Sequence, residues 1–127
     1  MNKPKPVVAI VENDSAMLKA LERLLRASGY RSELFASAES FLERSAEPAV
    51  GCLILDIDLG GISGIELQNR LVAAGGAPPI IFVTSQVDAD YREKALALGC
   101  LAYLRKPFES HELLHALGLA PDIAPQS

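Results

Sequence analysis

The sequence predicts an α/β fold, a doubly wound (βα)5 sandwich with a five-stranded parallel sheet and helices on both faces. Three observations predict it. Short aliphatic runs recur along the chain, segments with helical spacing separate them, and most of the runs carry no charge until their C-terminal end. Continuous apolar runs of this length suit strands buried on both faces of a parallel sheet. Alternation of such strands with helices calls for right-handed crossovers, which cover both faces.

The elements follow in order. Val7–Val11 is the first strand. Met17, Leu18, Leu21, Leu24 and Leu25 mark one face of a helix that starts near Asp14 or Ser15 and stops at Gly29. Tyr30–Phe35 alternates and carries Arg31 and Glu33, the pattern of an edge strand. Ser37 caps a short helix with Phe41 and Leu42 that ends before Pro48. Cys52–Leu55 is a central strand, followed by a helix with Ile65, Leu67, Leu71 and Val72 that closes at Gly75-Gly76. Ile80–Val83 leads into a helix capped by Asp88 and running to Gly99. Leu101–Leu104 is the last strand, and the last helix begins near Glu109 or Ser110, carries Leu113, Leu114 and Leu117, and ends at Gly118.

A chain of 127 residues suits one domain, here 1–119, with 120–127 as a tail or the start of a linker. Half of its residues are apolar, 22% are charged and the mean hydropathy is +0.21, a globular composition. The net charge is −4, aromatic residues are 6%, Trp is absent and no Lys/Arg cluster occurs, so direct nucleic-acid binding is not expected. Cys52 and Cys100 sit in or beside apolar runs and read as buried small hydrophobes without a disulfide or a zinc site. Met1–Pro6 is polar and no apolar stretch approaches a membrane span, so a cytoplasmic protein is expected.

Ligands of open parallel sheets bind beyond the carboxyl ends of the strands. Four strands here end in Glu12-Asn13-Asp14, Asp56-Ile57-Asp58, Thr84-Ser85 and Arg105-Lys106-Pro107. Carboxylates, a hydroxyl and an ammonium thus converge on one rim. Two carboxylates at ~4 Å repel by roughly 4 kcal/mol at an effective dielectric of 20, so a compensating cation is expected. Oxygen ligands with open positions favour Mg²⁺, and Lys106 adds a point charge. Such a set suits a phosphoryl group, with Asp56 as the nucleophile. Each residue alone has a plainer reading. Asp14 caps the first helix, Thr84 satisfies a strand end and Lys106 is a surface lysine.

In combination, Ile10-Val11-Glu12-Asn13-Asp14, Leu53-Ile54-Leu55-Asp56, Ser63-Gly64, Val83-Thr84-Ser85 and Lys106-Pro107-Phe108 resemble the receiver domain of response regulators. The resemblance spans Val7 to about Leu117, and Ser37-Ala38-Glu39-Ser40-Phe41-Leu42 resembles the nitrogen-fixation-regulator subgroup. It implies a chemotaxis-regulator-like sheet of order 2-1-3-4-5. By position it implies Asp56 as phosphoacceptor, Thr84 as the hydroxyl drawn to the phosphoryl group, Lys106 as its cationic partner and Tyr103 as the switching aromatic. Glu12, Asn13, Asp56 and the main chain of Asp58 fall where the family holds Mg²⁺, and Lys106-Pro107 where it has a cis peptide. The implied partners are a sensor histidine kinase or phosphotransfer protein. A homodimer or effector contact is implied on the face of the fourth helix, fifth strand and fifth helix. On this reading the chain accepts a phosphoryl group and is no enzyme beyond slow self-dephosphorylation.

Two departures stand out. The family's acidic pair is Glu12-Asn13 here, and an amide in place of a carboxylate predicts weaker Mg²⁺ binding. Gly60-Gly61 replaces a stretch where the family often has Pro, which predicts a more mobile loop. Two other functions fit parts of the pattern. A pseudo-receiver would bind partners in the same fold without phosphate. A haloacid-dehalogenase-like phosphatase would use Asp56 and Asp58, but nothing after Lys106 supplies the further acidic pair that such enzymes need.

Overall fold

The computed structural model describes residues 5–125; the first four residues and the last two, both expected as tails, lie outside the described residues. The elements are β1 (Val7–Val11), α1 (Ser15–Ala27), β2 (Ser32–Phe35), α2 (Ala38–Leu42) and β3 (Val50–Leu55). They continue as α3 (Gly64–Ala73), β4 (Ile80–Thr84), α4 (Ala89–Ala97), β5 (Ala102–Arg105) and α5 (Ser110–Gly118). The five strands are parallel in the order β2-β1-β3-β4-β5, as the resemblance to receiver domains implies.

Successive side chains of β1 point to opposite faces. Val8 and Ile10 join Leu21 and Leu25 of α1 and Leu113 and Leu117 of α5 in one core layer. Ala9 and Val11 join Phe41 of α2, Ile65 and Leu67 of α3 and Ala95 of α4 in the other. Burial of each large aliphatic side chain stabilises by about 1.5–3 kcal/mol, so both layers are needed to hold the central strands in place. Cys52 lies in this core, where burial pushes its thiol pKa up to about 12, and both cysteines are free.

Several boundaries differ from the expected ones. Tyr30 is buried but precedes β2, because its N–H closes the end of α1 on the Leu25 carbonyl at 2.8 Å. β3 starts earlier, at Val50, and β5 is displaced by one residue to Ala102–Arg105. Helix starts follow the caps read from sequence, with Asp14 accepting from the N–H groups of Ala16 and Met17. The segment expected as a tail begins on the core: Ala120 is 5% exposed and Ile123 packs against the α1–α5 layer. Gly51 makes room for it, since a Cβ there would meet the Asp122 carbonyl oxygen and the Ile123 side chain at 3.3 Å. No helix among the described residues is long and apolar enough to cross a membrane.

Candidate functional site

Backbone bonds continue the sheet past its strand ends and fix the rim. Glu12 N–H donates to Phe35, Asp56 N–H to Val11 and Lys106 N–H to Thr84, at 3.0, 3.1 and 2.8 Å. Glu12, Asn13, Asp56, Asp58, Thr84 and Lys106 all line one cavity of about 220 Å³, with Asp14, Ser85 and Gln86. The convergence expected from four separate stretches of sequence is therefore what the fold builds.

Three of these residues are hidden from solvent: Glu12 is 1%, Asp56 6% and Thr84 0% exposed. Lys106 Nζ donates to Glu12 Oε1 at 2.6 Å and to Asp56 Oδ2 at 3.2 Å. The other Asp56 oxygen accepts from the Ile57 N–H at 2.7 Å, and Glu12 Oε2 accepts from the Asp14 N–H at 3.1 Å. Burial pushes the Glu12 carboxyl above the usual carboxylate range, although Lys106 and the Asp14 N–H pull the other way. For Lys106, burial works against the charged form, but the Glu12 hydrogen bond and the charges of Asp56 and Glu12 hold its pKa above the usual lysine value. The stable arrangement is one ammonium shared by two carboxylates.

Two features of the site were not read from the sequence. Glu12, read only as a metal ligand, is also the counter-ion of Lys106, with both carboxylate oxygens engaged. Gly64 is required by close approach. Its N–H donates to the Ile57 carbonyl at 2.9 Å, and a Cβ on it would overlap the Asp56 carbonyl. The Ser63-Gly64 pair is the sequence signal for it. Ser63 caps α3 while Gly64 lets the helix start against the strand that carries Asp56.

The donor chemistry around the cavity is that of hard oxygens. Asp56 and Asp58 bring carboxylates and Asn13 an amide oxygen. Among the described residues, no three His, Cys, Asp or Glu side chains gather as a metal-holding group. A divalent cation placed here would find the Asp56 carboxylate and the Asn13 amide oxygen, donors that fit a hard cation.

Thr84 Oγ1 accepts from the Gln86 N–H at 3.1 Å. Tyr103 lies apart from the cavity, beside Gln86, Val87, Arg92 and Arg105. Its ring stands 5.9 Å from that of Phe82, and its hydroxyl is enclosed without a hydrogen-bond partner among the described residues. The Lys106–Pro107 peptide is cis. The Gly60-Gly61 loop, expected to be mobile, is tied by the Glu39 carboxylate, which accepts from the Ile62 N–H at 3.1 Å.

A five-stranded doubly wound sheet of this order, with an acid-and-amine cavity over its central strand ends, defines a chemotaxis-regulator-like domain. A family model described as "Response regulator receiver domain" matches residues 8–118, and the chain belongs to that family. It is 39% identical over 126 residues to the response regulator protein TmoT of Ectopseudomonas mendocina, covering 99% of this chain and 57% of that protein. It is 33% identical to the transcriptional regulatory protein FixJ of Bradyrhizobium diazoefficiens, over 84% of this chain and 52% of that protein. A solved response regulator receiver protein from Burkholderia phymatum is 40% identical with a TM-score of 0.75, covering 94% of this chain and 100% of that one. The chain thus spans a little over half the length of these two curated relatives.

Proposed function

We propose that this receiver domain takes a phosphoryl group onto Asp56 from a sensor histidine kinase or phosphotransfer protein. The observation that carries this reading is the Asp56 carboxylate in a cavity it shares with Thr84, with Lys106 Nζ 3.2 Å from one of its oxygens. An Asp56 oxygen would form the new O–P bond as the donor's N–P bond breaks, and the imidazole nitrogen would keep that electron pair. Lys106 offsets charge on the transferred group and Thr84 supplies a hydroxyl to one of its oxygens. Mg²⁺ bound at Asp56, the Asn13 amide oxygen and the Asp58 main chain would supply further charge neutralisation. Glu12, expected among its ligands, already accepts from Lys106 on one oxygen and from the Asp14 N–H on the other, so a cation there would compete with these for its charge.

The phosphoryl oxygens give the domain a reason to rearrange, because they contact Thr84 and Lys106 only in the phosphorylated state. Tyr103 and the α4–β5–α5 face are the elements we assign to the response, as a homodimer contact or an effector surface. The chain then acts in the cytoplasm as a phosphoryl acceptor with slow self-dephosphorylation. Output passes through a partner or a further domain. Asn13 supports a second reading, a phosphorylation-independent binding module, because it removes a carboxylate where the family's metal site has one. Acetyl phosphate with Mg²⁺ separates the two. Intact-mass spectrometry is expected to find one added phosphoryl group on the wild type and none on Asp56→Asn. An unlabelled wild type would favour the binding module.

A further inference from the structure

The loop between β3 and α3 leaves the candidate phosphoacceptor and returns to it, since Gly64 packs against the Asp56 carbonyl. It is anchored at its far end, where Gly64 N–H bonds the Ile57 carbonyl. Between these points Gly60 adopts φ +83° beside Asn13, whose Nδ2 lies 3.8 Å from where a Gly60 Cβ would stand. The middle of the loop is held from outside by Glu39 of α2. Its Oε2 accepts from the Ile62 N–H at 3.1 Å, across 23 residues of sequence. That hydrogen bond holds the Glu39 carboxyl below the usual carboxylate range. Gly61 permits the contact, for a Cβ on it would stand 2.5 Å from the same Oε2 and 3.2 Å from the carboxylate carbon.

We propose that Glu39 is a positioning residue for the phosphoacceptor site, which fixes the β3–α3 loop and with it the placement of Asp58 and Gly60 beside Asp56 and Asn13. The proposal rests on the phosphoacceptor reading of Asp56. Glu39 touches no reacting atom. It acts through the backbone of Ile62, and Gly61 is the loop's accommodation to it. Gly61 is not among the glycines with positive φ, so Ala is sterically allowed by the backbone there. The atom that a new Cβ would meet first is the end of the flexible Glu39 side chain, so Gly61→Ala displaces the carboxylate and leaves the fold intact.

The test uses the full chain as wild type, Glu39→Ala, Gly61→Ala, the double variant and Glu39→Gln. Amide exchange of Ile62 by NMR reads the contact, the melting temperature reads the fold, and the rate of labelling by acetyl phosphate with Mg²⁺ reads the site. Both single alanine variants are expected to melt with the wild type, exchange Ile62 faster and label slower by on the order of tenfold. The double variant should be no slower than the slower single one, because each substitution removes the same contact. Glu39→Gln keeps an acceptor oxygen and is expected to recover most of the rate. Unchanged Ile62 exchange in Glu39→Ala overturns the proposal, as does a wild-type labelling rate in variants whose Ile62 amide is freed. A wild type that takes no label, with Ile62 still protected, overturns the phosphoacceptor reading and this role with it, and is told apart by that protection.

Discussion

Leu25 and Glu12 are equally hidden, at 0% and 1% exposure, yet opposite physics holds them in place. Leu25 sits in the layer between α1, α5 and the sheet, where removal from water is itself the stabilising term. Glu12 follows the equally buried Val11 by one residue, and burial of its charge is a cost that Lys106 and one backbone N–H must offset. The slab below is held by apolar burial, a term with no charge to balance. The rim is a balance among three charged groups, and one more anion on Asp56 changes every term of that balance. A packed platform under a set of buried charges suits the switch proposed above.

The largest expected effect lies in the slab. Leu25→Ala should lower unfolding stability in urea by about 2–5 kcal/mol, through lost burial and a residual cavity. Lys106→Met should cost about 3 kcal/mol near neutral pH, because Glu12 is left buried and unpaired. The sign with pH is fixed by the raised Glu12 pKa. Lys106 lowers that pKa, so its loss raises it further, and the Lys106→Met deficit should shrink as pH falls towards the wild-type value, where Glu12 is already protonated in the variant and not yet in the wild type. Lys106 adds no slope there. Its own raised pKa contributes stability that is complete below 10.5 and lost only as pH rises through the folded value. Replacing both charges, as Glu12→Leu with Lys106→Met, should recover most of the loss, and a double variant as unstable as Lys106→Met would break the comparison.

Smaller effects sharpen it. Asn13→Asp restores a carboxylate to the cavity and should tighten Mg²⁺ binding by on the order of tenfold in calorimetric titration, from the added Coulomb attraction. An unchanged affinity would mean that residue 13 does not face the cation. Least affected should be Leu96→Ala on α4. Leu96 is 46% exposed and the buried side chain of that helix is Ala95, so stability should change by no more than about 0.5 kcal/mol.

Most of the fold was legible because strands buried on both faces must be written as uninterrupted apolar runs, as in Ile80–Val83. Its errors fall where a residue obeys a neighbour outside its own run. Tyr30 has the look of a strand residue but terminates a helix, and Leu101 gives its N–H to the Ile80 carbonyl one step before β5 begins. The residues of the candidate cavity were legible because parallel strands bring their C-terminal ends together. What they bond was not, since Lys106 meets Glu12 across 94 positions and Asp56 across 50. Side-chain reach between distant elements leaves no local pattern. The contact of Glu39 with the loop at Gly61 and Ile62 was hidden for the same reason.

The central claim is that Asp56 is the residue that becomes phosphorylated. The direct measurement is to treat the chain with acetyl phosphate and Mg²⁺, reduce any acyl phosphate with borohydride, and sequence the peptides by mass spectrometry. Homoserine is expected at position 56 and unaltered aspartate at 58. Homoserine at position 58, or at neither position, would contradict it.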